Sequence, residues 1–478
     1  MRLFFIFIFT LFYGFGFSAS AADLPDLGDV VGIDDLSPAR ERQIGEQIMR
    51  EIRRDPALLD DPEVEEYINR LGQRLVAASA ETGHSFEFFV VKDAMLNAFA
   101  LPGGYIGVHT GLILAAQSES ELAGVLAHEI GHVTQRHIAQ LIGKQKQVGM
   151  VMLASVLAAI ASGSSRGAEA AVASGTAGAM QAQLGYSRTF EREADRLGLQ
   201  TLEAAGFDVR GMAGFFERLQ RATRLYENNA PAYLRTHPLN TERIADMENR
   251  VMSMRYRQVP DSPDFNYVRA RLRVQSLSAP EAVRTLAGLV KGNPDDVSLR
   301  YGLALAQLRL GHLEDAARTF DELQRRAKPS PFIAVLSGEL SLARRDADAA
   351  VNTLIAARKA FPESMNTVYA LANAQIAAGR AQDAERDMRR AISGRSSDVR
   401  LWGLLARANA ALGKRTAQHR AQAEVYVLQG TYRAAVDQLE LARRAGDGDF
   451  YELSAVDARL REVRAHADEE KRSARRRN

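Results

Sequence analysis

The amino-acid sequence predicts an α+β domain, mostly helical with a small sheet, followed by an all-α solenoid. Residues 38–255 mix helical apolar periods with short β-rich runs. Residues 265–465 are almost wholly helical, and much of this stretch repeats every 34 residues. A chain of 478 residues is also too long for one compact core, so we expect at least two domains.

The N-terminus has the features of a secretory signal peptide over residues 1–21. Arg2 supplies a basic start, an apolar run follows over residues 3–17, and small residues occupy positions 19–21. These features predict export with cleavage near Ala21. The alternative is an uncleaved membrane anchor, but the apolar run is shorter than the roughly 20 residues that span a bilayer.

The next elements are a small sheet and a helix. Three β-rich runs predict strands near residues 86–92, 95–101 and 105–109. The turn Pro102-Gly103-Gly104 would join the last two strands as a hairpin. Ser118 and Glu121 then have the spacing of a capping box, and an apolar stripe continues from them, which predicts a helix.

This helix carries the pattern His128-Glu129-x-x-His132. Residues four apart on a helix lie about 40° apart, so both histidines point the same way and can bind one zinc ion. Glu129 can act as base toward a water whose pKa zinc lowers to about 7. His137 is excluded as a third ligand, because on a continuing helix it would lie about 180° from His128. We expect His137 to be a surface histidine or one that contacts a ligand.

A better third ligand lies on the next predicted helix. Glu191 and Asp195 are four residues apart, so both carboxylates face one side. Glu191 could bind zinc while Asp195 orients a ligand histidine by accepting its free ring N–H. The alternative is an acidic helix face balanced by Arg192 and Arg196. The chain has no cysteine, so a metal here must be held by His, Asp, Glu or backbone oxygen.

Taken together, these stretches resemble peptidase family M48, whose members are zinc metallopeptidases with a zincin-like fold. The resemblance rests on His128-Glu129-x-x-His132, Glu191-x-x-Ala194-Asp195, NAFALPGG at 97–104 and RTHPLNTERIADM at 235–247. It implies an endopeptidase with one Zn2+ per chain. His128, His132 and Glu191 would be the ligands, and Glu129 the general base.

The resemblance also implies that Asp195, His237 and Arg243 act in the catalytic cleft. Arg243 is suited to stabilise the tetrahedral oxyanion. His237 could donate to that oxyanion, or it could occupy the open zinc position and hold the enzyme in a self-inhibited state.

The strand that contains Asn97, Ala98 and Phe99 could bind an extended peptide by β-augmentation. A purely structural role as a core strand is the alternative. Residues 148–183 are apolar at first and then rich in Gly, Ser and Ala. A packed helical hairpin is the simpler interpretation, and a mobile lid or an element in peripheral contact with a membrane surface is the alternative.

The 34-residue period appears as columns of similar residues. One column of small residues contains Ala282, Ala316, Ala350 and Ala384. A turn column contains Gly311, Gly379 and Gly413, with Arg345 as its one departure. The pattern is similar to the tetratricopeptide repeat, and a generic Ala-rich bundle is the alternative. The basic tail at 466–478 is expected to be disordered.

The chain resembles a periplasmic branch of the family that acts in outer-membrane protein quality control. The resemblance rests on the combination of an export signal, a core without membrane spans and a repeat array. The resemblance implies unfolded or misassembled outer-membrane proteins as clients and the β-barrel assembly machinery as a partner of the repeats. A formal net charge of +2 argues against nucleic acid as a partner. The alternative function is a chaperone or scaffold whose zinc site is structural or vestigial. Glu129 favours the enzyme, because a purely structural site does not need a base.

Overall fold

The computed structural model describes residues 36–79, 83, 85–144, 177–224, 233–234 and 237–477. The expected signal peptide at 1–21 lies outside the described residues, as does most of the segment 148–183 that was expected to form a helical hairpin or a lid. Residues 177–183 of that segment begin the helix Ala177–Ala204. None of the helices in the described ranges combines the length and the apolar character that a membrane span requires.

The first part of the chain is mostly helical around a three-stranded sheet. Its elements are α1 Pro38–Ile52, α2 Pro62–Ala78, β1 Glu87–Val91, β2 Ala98–Leu101, β3 Tyr105–His109, α3 Thr110–Ala115, α4 Glu119–Thr134, α5 His137–Lys144, α6 Ala177–Ala204, α7 Arg210–Arg224 and α8 Thr241–Ser253.

The second part consists of helices. They are α9 Pro263–Gln275, α10 Ala279–Gly292, α11 Val297–Leu310, α12 Leu313–Arg326, α13 Pro331–Ala343, α14 Ala347–Ala360, α15 Met365–Ala377, α16 Ala381–Gly394, α17 Val399–Ala411, α18 Arg415–Leu428, α19 Tyr432–Arg444 and α20 Phe450–Arg477. The predicted fold class, an α+β domain followed by a helical repeat solenoid, is confirmed.

The three predicted strands form one sheet in the order β1-β3-β2. Strand β1 pairs with β3 in parallel, and β2 pairs with β3 as the predicted antiparallel hairpin. Gly103 and Gly104 turn the hairpin with φ of +82° and +88°, values that glycine adopts without a steric penalty. Strand β2 therefore lies at an edge of the sheet.

The two faces of the sheet pack against different helices. Ile106 and Val108 join the core that also contains α2 and α4. Phe89 and Phe99 point the other way and pack with α1. Successive residues of a strand alternate between faces, so the sheet separates the two clusters.

The repeat columns correspond to helix–helix contacts. Ala282, Ala316, Ala350 and Ala384 are all buried, one on each of α10, α12, α14 and α16. A Cβ at Gly338 of α13 would lie 2.7 Å from the side chain of Leu354 on α14. Small residues at such positions, Gly338 among them, thus let consecutive helices approach closely.

One turn of the repeats has arginine in place of glycine and keeps the same backbone conformation. Gly311 and Gly379 have φ of +82° and +71°, and Arg345 adopts φ of +63° in their place. A non-glycine residue pays a steric cost in this region, so the backbone of the turn is set by the packing of the two helices around it.

The C-terminal tail corrects an expectation. Residues 466–477 continue α20 as a helix, whereas the sequence analysis expected the tail to be disordered. Ala, Arg, Glu and Lys dominate this stretch and all favour helix, and no Gly or Pro interrupts it.

Helix α2 lies against the solenoid through charged side chains. Arg271 of α9 contacts Asp61 with 2.6 Å between Nε and Oδ2, and it also forms an ion pair with Glu63. Arg400 of α17 lies 2.7 Å from the carboxylate of Glu65. Separate repeats therefore hold one helix of the first part of the chain.

Candidate metal centre

Helix α4 presents the His-Glu-x-x-His residues from inside the core. Every residue of this helix is buried, as expected for a helix enclosed by other elements. The Oγ of Ser118 accepts a hydrogen bond from the Glu121 N–H at 3.2 Å, which caps the helix as predicted. In a capping box the Glu121 carboxylate would accept a hydrogen bond from the N–H of Ser118. Here it accepts instead from the N–H of the preceding residue, Gln117, at 2.6 Å.

Two glycines let α6 lie directly against α4. A Cβ at Gly198 would lie 3.1 Å from the backbone nitrogen of His128, and one at Gly131 would lie 3.1 Å from the Cα of Ala194. Both distances are shorter than a Cβ ordinarily tolerates. This close approach carries the acidic side of α6 to the two histidines of α4.

The predicted ligands meet in one buried cluster. Glu191 lies 3.3 Å from His128 and 3.4 Å from His132, measured from the carboxylate oxygens to the two Nε2 atoms. The Nε2 atoms of the two histidines are 3.1 Å apart. His237 joins the cluster, and one ligand atom from each of the four residues lies within 4.8 Å of the others.

The carboxylate of Glu129 lies beside this cluster. Its side chain is fully buried, and neither of its oxygens has a hydrogen-bond partner among the described residues. Burial raises its pKa, against the attraction of His237 and His128. A buried carboxylate without partners calls for a water or ligand that would satisfy it.

His137 corrects the geometry assumed from sequence. Helix α4 ends at Thr134, and Arg136 has φ of +53°, so α5 begins in a new direction at His137. The Nδ1 atoms of His137 and His132 are 2.9 Å apart, and His137 is 2% exposed. His137 is therefore the expected contact of a ligand histidine, and the surface alternative is wrong because the helix does not continue.

Asp195 and Arg243 lie behind the ligands. Asp195 is 3.0 Å from Nδ1 of His128, as predicted for a residue that orients this imidazole. Arg243 donates to both oxygens of Asp195 at 2.8 Å, through Nε and Nη2. Its Nη1 lies 2.9 Å from Glu191 and donates to the Pro238 carbonyl at 2.7 Å.

These contacts differ from the oxyanion role that the resemblance implied for Arg243. Its guanidinium is 2% exposed, and all three of its nitrogens contact other groups of the protein. A donor to an oxyanion must point at the position of the developing charge. The geometry instead makes Arg243 a residue that positions Asp195 and Glu191.

His237 lies between two carboxylates. Its Nδ1 is 3.0 Å from Oε1 of Glu191, and its Nε2 is 3.6 Å from Oε1 of Glu129. Both ring nitrogens of His237 therefore face carboxylates of the site, and the choice between the two roles left open by the sequence stays a prediction.

Tyr233 is a component of the site that the sequence analysis missed. Its ring stacks on that of His237 with 4.5 Å between centroids, and it is 1% exposed. The two residues are four apart in sequence. That spacing could have identified Tyr233, had the stretch been treated as a helical turn.

The protonation states of the cluster suit a divalent metal. Burial lowers the pKa of His132 to about 4, so its imidazole is neutral at pH 7. Burial alone would raise the pKa of Glu191, but attraction from His237 and His132 holds it well below its ordinary value. Neutral imidazole and ionised carboxylate are the forms that bind metal, so His132 and Glu191 already fit a metal ion. Burial lowers the pKa of His128, but hydrogen bonds and attraction from Asp195 and Glu191 raise it to about 9, so a metal that binds there displaces a proton.

The edge strand β2 runs beside the cluster. The His109 N–H donates to the Asn97 carbonyl at 3.0 Å. Paired and unpaired positions alternate in an antiparallel ladder, so the amide and carbonyl groups of Ala98 and Ala100 point away from β3. The backbone N–H of Ala100 lies near enough to lower the pKa of Glu129 without completing a hydrogen bond, which puts the outer edge of β2 next to this carboxylate.

The side chains of β2 serve the core. Ala98 is 0% exposed and Phe99 is 5% exposed, on opposite faces of the sheet. A core strand and a peptide-binding edge are therefore compatible interpretations of β2. Its side chains pack inward, while its outer backbone groups face the site.

Comparisons with known proteins agree with this arrangement. Residues 62–251 match the model of peptidase family M48. The chain is 33% identical over 455 residues to the beta-barrel assembly-enhancing protease of Escherichia coli (strain K12), covering 94% of this chain and 92% of that protein. It is 33% identical over 446 residues to the putative beta-barrel assembly-enhancing protease of Vibrio cholerae, covering 92% and 91%. The mitochondrial metalloendopeptidase OMA1 of Arabidopsis thaliana is 31% identical over 204 residues, covering 42% of this chain and 39% of that protein.

Proposed function

Because this chain belongs to peptidase family M48 and is a metalloendopeptidase, we propose that it cleaves misfolded or stalled outer-membrane proteins in the periplasm with one zinc ion. Glu129 carries this proposal. It is a buried carboxylate without a hydrogen-bond partner in the part of the chain that the structure describes, and it lies beside His128, His132 and Glu191.

In this mechanism His128, His132 and Glu191 would hold the metal. When bound there, a zinc ion would supply Lewis-acid polarisation of the scissile carbonyl and a more acidic water. Glu129 takes a proton from the attacking water and later gives it to the leaving amine. Its raised pKa suits both steps, because the group must bind the proton and then release it.

Two further groups orient the ligand histidines. Asp195 lies 3.0 Å from Nδ1 of His128, and His137 contacts Nδ1 of His132, so on both rings the Nε2 atom is left for the metal. Such partners keep a histidine in the tautomer and ring orientation that ligation requires.

The peptide substrate binds along β2 by β-augmentation. Asn97, Ala98 and Phe99 form the start of this edge, and the outward backbone groups of Ala98 and Ala100 receive the peptide. The close approach of the Ala100 amide and Glu129 would set the scissile bond within reach of the base.

The rest of the chain supplies location and partners. We assign residues 1–21 to a cleaved signal peptide, 38–255 to the peptidase domain and 265–465 to the tetratricopeptide repeats. The repeats would recruit clients and the β-barrel assembly machinery. The names of the two bacterial relatives, which cover nearly the whole chain, support this assignment.

Removal of the metal tests the proposed chemistry. We expect a chelator to abolish cleavage of a urea-unfolded outer-membrane barrel protein, and one equivalent of Zn2+ to restore it. Product bands on a gel and elemental analysis of the protein would measure the two quantities. Full cleavage by protein freed of metal would contradict a zinc-dependent mechanism.

His237 is proposed to hold the enzyme in a self-inhibited state. We expect His237→Ala to raise basal cleavage of an unfolded substrate about tenfold or more, because hydrogen bonds to charged groups contribute about 1.5–3 kcal/mol. Initial rates with matched zinc content would measure this. The exposed His312 of the solenoid provides the control variant, His312→Ala. Unchanged or abolished cleavage in His237→Ala would exclude the inhibitory role.

A further inference from the structure

Tyr233 and His237 behave structurally as one unit. The His237 N–H donates to the Tyr233 carbonyl at 2.8 Å, and their rings stack at an interplanar angle of 26°. On its other side Tyr233 stacks on Phe216 of α7, with 5.8 Å between centroids. The position of His237 between Glu129 and Glu191 therefore depends on where Tyr233 is held.

Tyr233 is held by the strand edge that we assign to substrate. Its backbone N–H donates to the Leu96 carbonyl at 3.1 Å. Leu96 lies just before β2, two residues from Ala98, and its carbonyl is the acceptor next along the chain from the outward groups of Ala98 and Ala100. The row of available backbone groups thus begins at Ala100, beside Glu129, and ends at Leu96. The carbonyl of Leu96 already accepts the hydrogen bond from Tyr233.

We propose that Tyr233 is the positioning residue that couples this edge to His237, so that a long extended peptide displaces Tyr233 from Leu96 and releases His237 from the metal ligands. The proposal rests on the function proposed above. A peptide that pairs along the whole row must donate a hydrogen bond to the Leu96 carbonyl. It then competes with the Tyr233 N–H, because both donors would approach this carbonyl from the same side.

The coupling makes peptide length a determinant of activity. Outward groups recur every second residue, so reaching from Ala100 to Leu96 takes about five residues of extended peptide. A shorter peptide can bind at Ala98 and Ala100 and leave Tyr233 and His237 in place. The favoured substrate is therefore an unfolded stretch of polypeptide, and short peptides are poor substrates.

Hydrogen–deuterium exchange of the zinc-loaded Glu129→Gln protein tests the coupling without turnover. The probes are a ten-residue peptide of alternating Val and Thr with lysines at its ends, and a three-residue peptide of the same composition. We expect the long peptide to speed exchange of the Tyr233 and His237 amides, and the short one to leave them protected at a concentration that saturates its binding. If the long peptide binds and both amides stay protected, the coupling is wrong while the proposed peptidase function stands.

Variants of Tyr233 separate positioning from simple packing. Tyr233→Ala removes the ring stack, and we expect kcat/KM for the short peptide to rise about two- to tenfold, the factor that an aromatic contact confers. Tyr233→Phe keeps both the ring and the N–H and is expected to match wild type. A Phe variant that behaves like the Ala variant would overturn the proposal, because the stack and the N–H would then not be what holds His237. If circular dichroism shows that Tyr233→Ala is unfolded, the exchange experiment decides by itself.

Loss of all cleavage by the zinc-loaded wild-type protein would contradict the proposed function. It would not affect the exchange result, which reports only on binding and on the amides. The two failures are therefore distinguishable.

Discussion

Replacing Glu129 with glutamine is expected to lower kcat for an unfolded substrate by about 10²–10⁴-fold, the range attributed to general acid–base catalysis. The amide has nearly the same shape but cannot take a proton from water. Since Glu129 is not among the predicted metal ligands, zinc content should stay at one ion per chain. Initial rates and elemental analysis of the same preparation would measure both.

Glu248 provides a matched control, because it is an exposed carboxylate of the same domain on α8. Glu248→Gln should leave kcat and zinc content unchanged. Equal cleavage by wild type and Glu129→Gln at full zinc content would show that the proposed base is wrong. If neither protein cleaves and both rescue β-barrel assembly, the chaperone or scaffold function is the better description of this chain.

Replacing Arg243 with alanine is expected to lower the free energy of unfolding by about 3–5 kcal/mol, the usual effect of removing one partner from a buried ion pair. The change leaves Asp195 and Glu191 without their cation inside the core. Metal affinity should fall about 10–100-fold, because these carboxylates position and supply the ligands. Urea unfolding and competition for Zn2+ against an indicator dye would measure the two effects.

Arg250 lies on the same helix and pairs with Asp246 on the surface, 2.8 Å away. Arg250→Ala should cost at most about 1 kcal/mol, as exposed pairs do, and leave metal affinity unchanged. If Arg243→Ala instead keeps its stability and metal affinity but loses kcat, the oxyanion role implied by the family resemblance would be correct.

Local patterns account for most of what could be predicted. The spacing of His128 and His132 puts them on one face of any helix, whatever surrounds it. The hairpin at Gly103 and Gly104 follows from backbone conformations that other residues avoid. The solenoid follows from small residues every 34 positions, because helices can approach closely only at such residues.

Errors arose where a prediction assumed that local structure continues. His137 was placed on an unbroken helix, but the chain turns at Arg136 and aims His137 at His132. The oxyanion role of Arg243 stays a prediction, although its partners in the structure are the carboxylates of α6. Charge and spacing do not specify which of several buried groups will be adjacent.

The sequence by itself determined which side chains a metal site in this protein could use: the imidazoles of His128 and His132, the carboxylate of Glu191 and the neighbouring Glu129. It also determined the repeat array. Those conclusions depend on residue type and on helical period, which are local properties. The tertiary structure alone decided that Tyr233 joins His237 to Leu96 and that Arg243 supports Asp195. Leu96 is distant in the chain from Tyr233, and Asp195 is distant from Arg243, so only the packing of the elements that carry them brings these pairs within hydrogen-bonding distance.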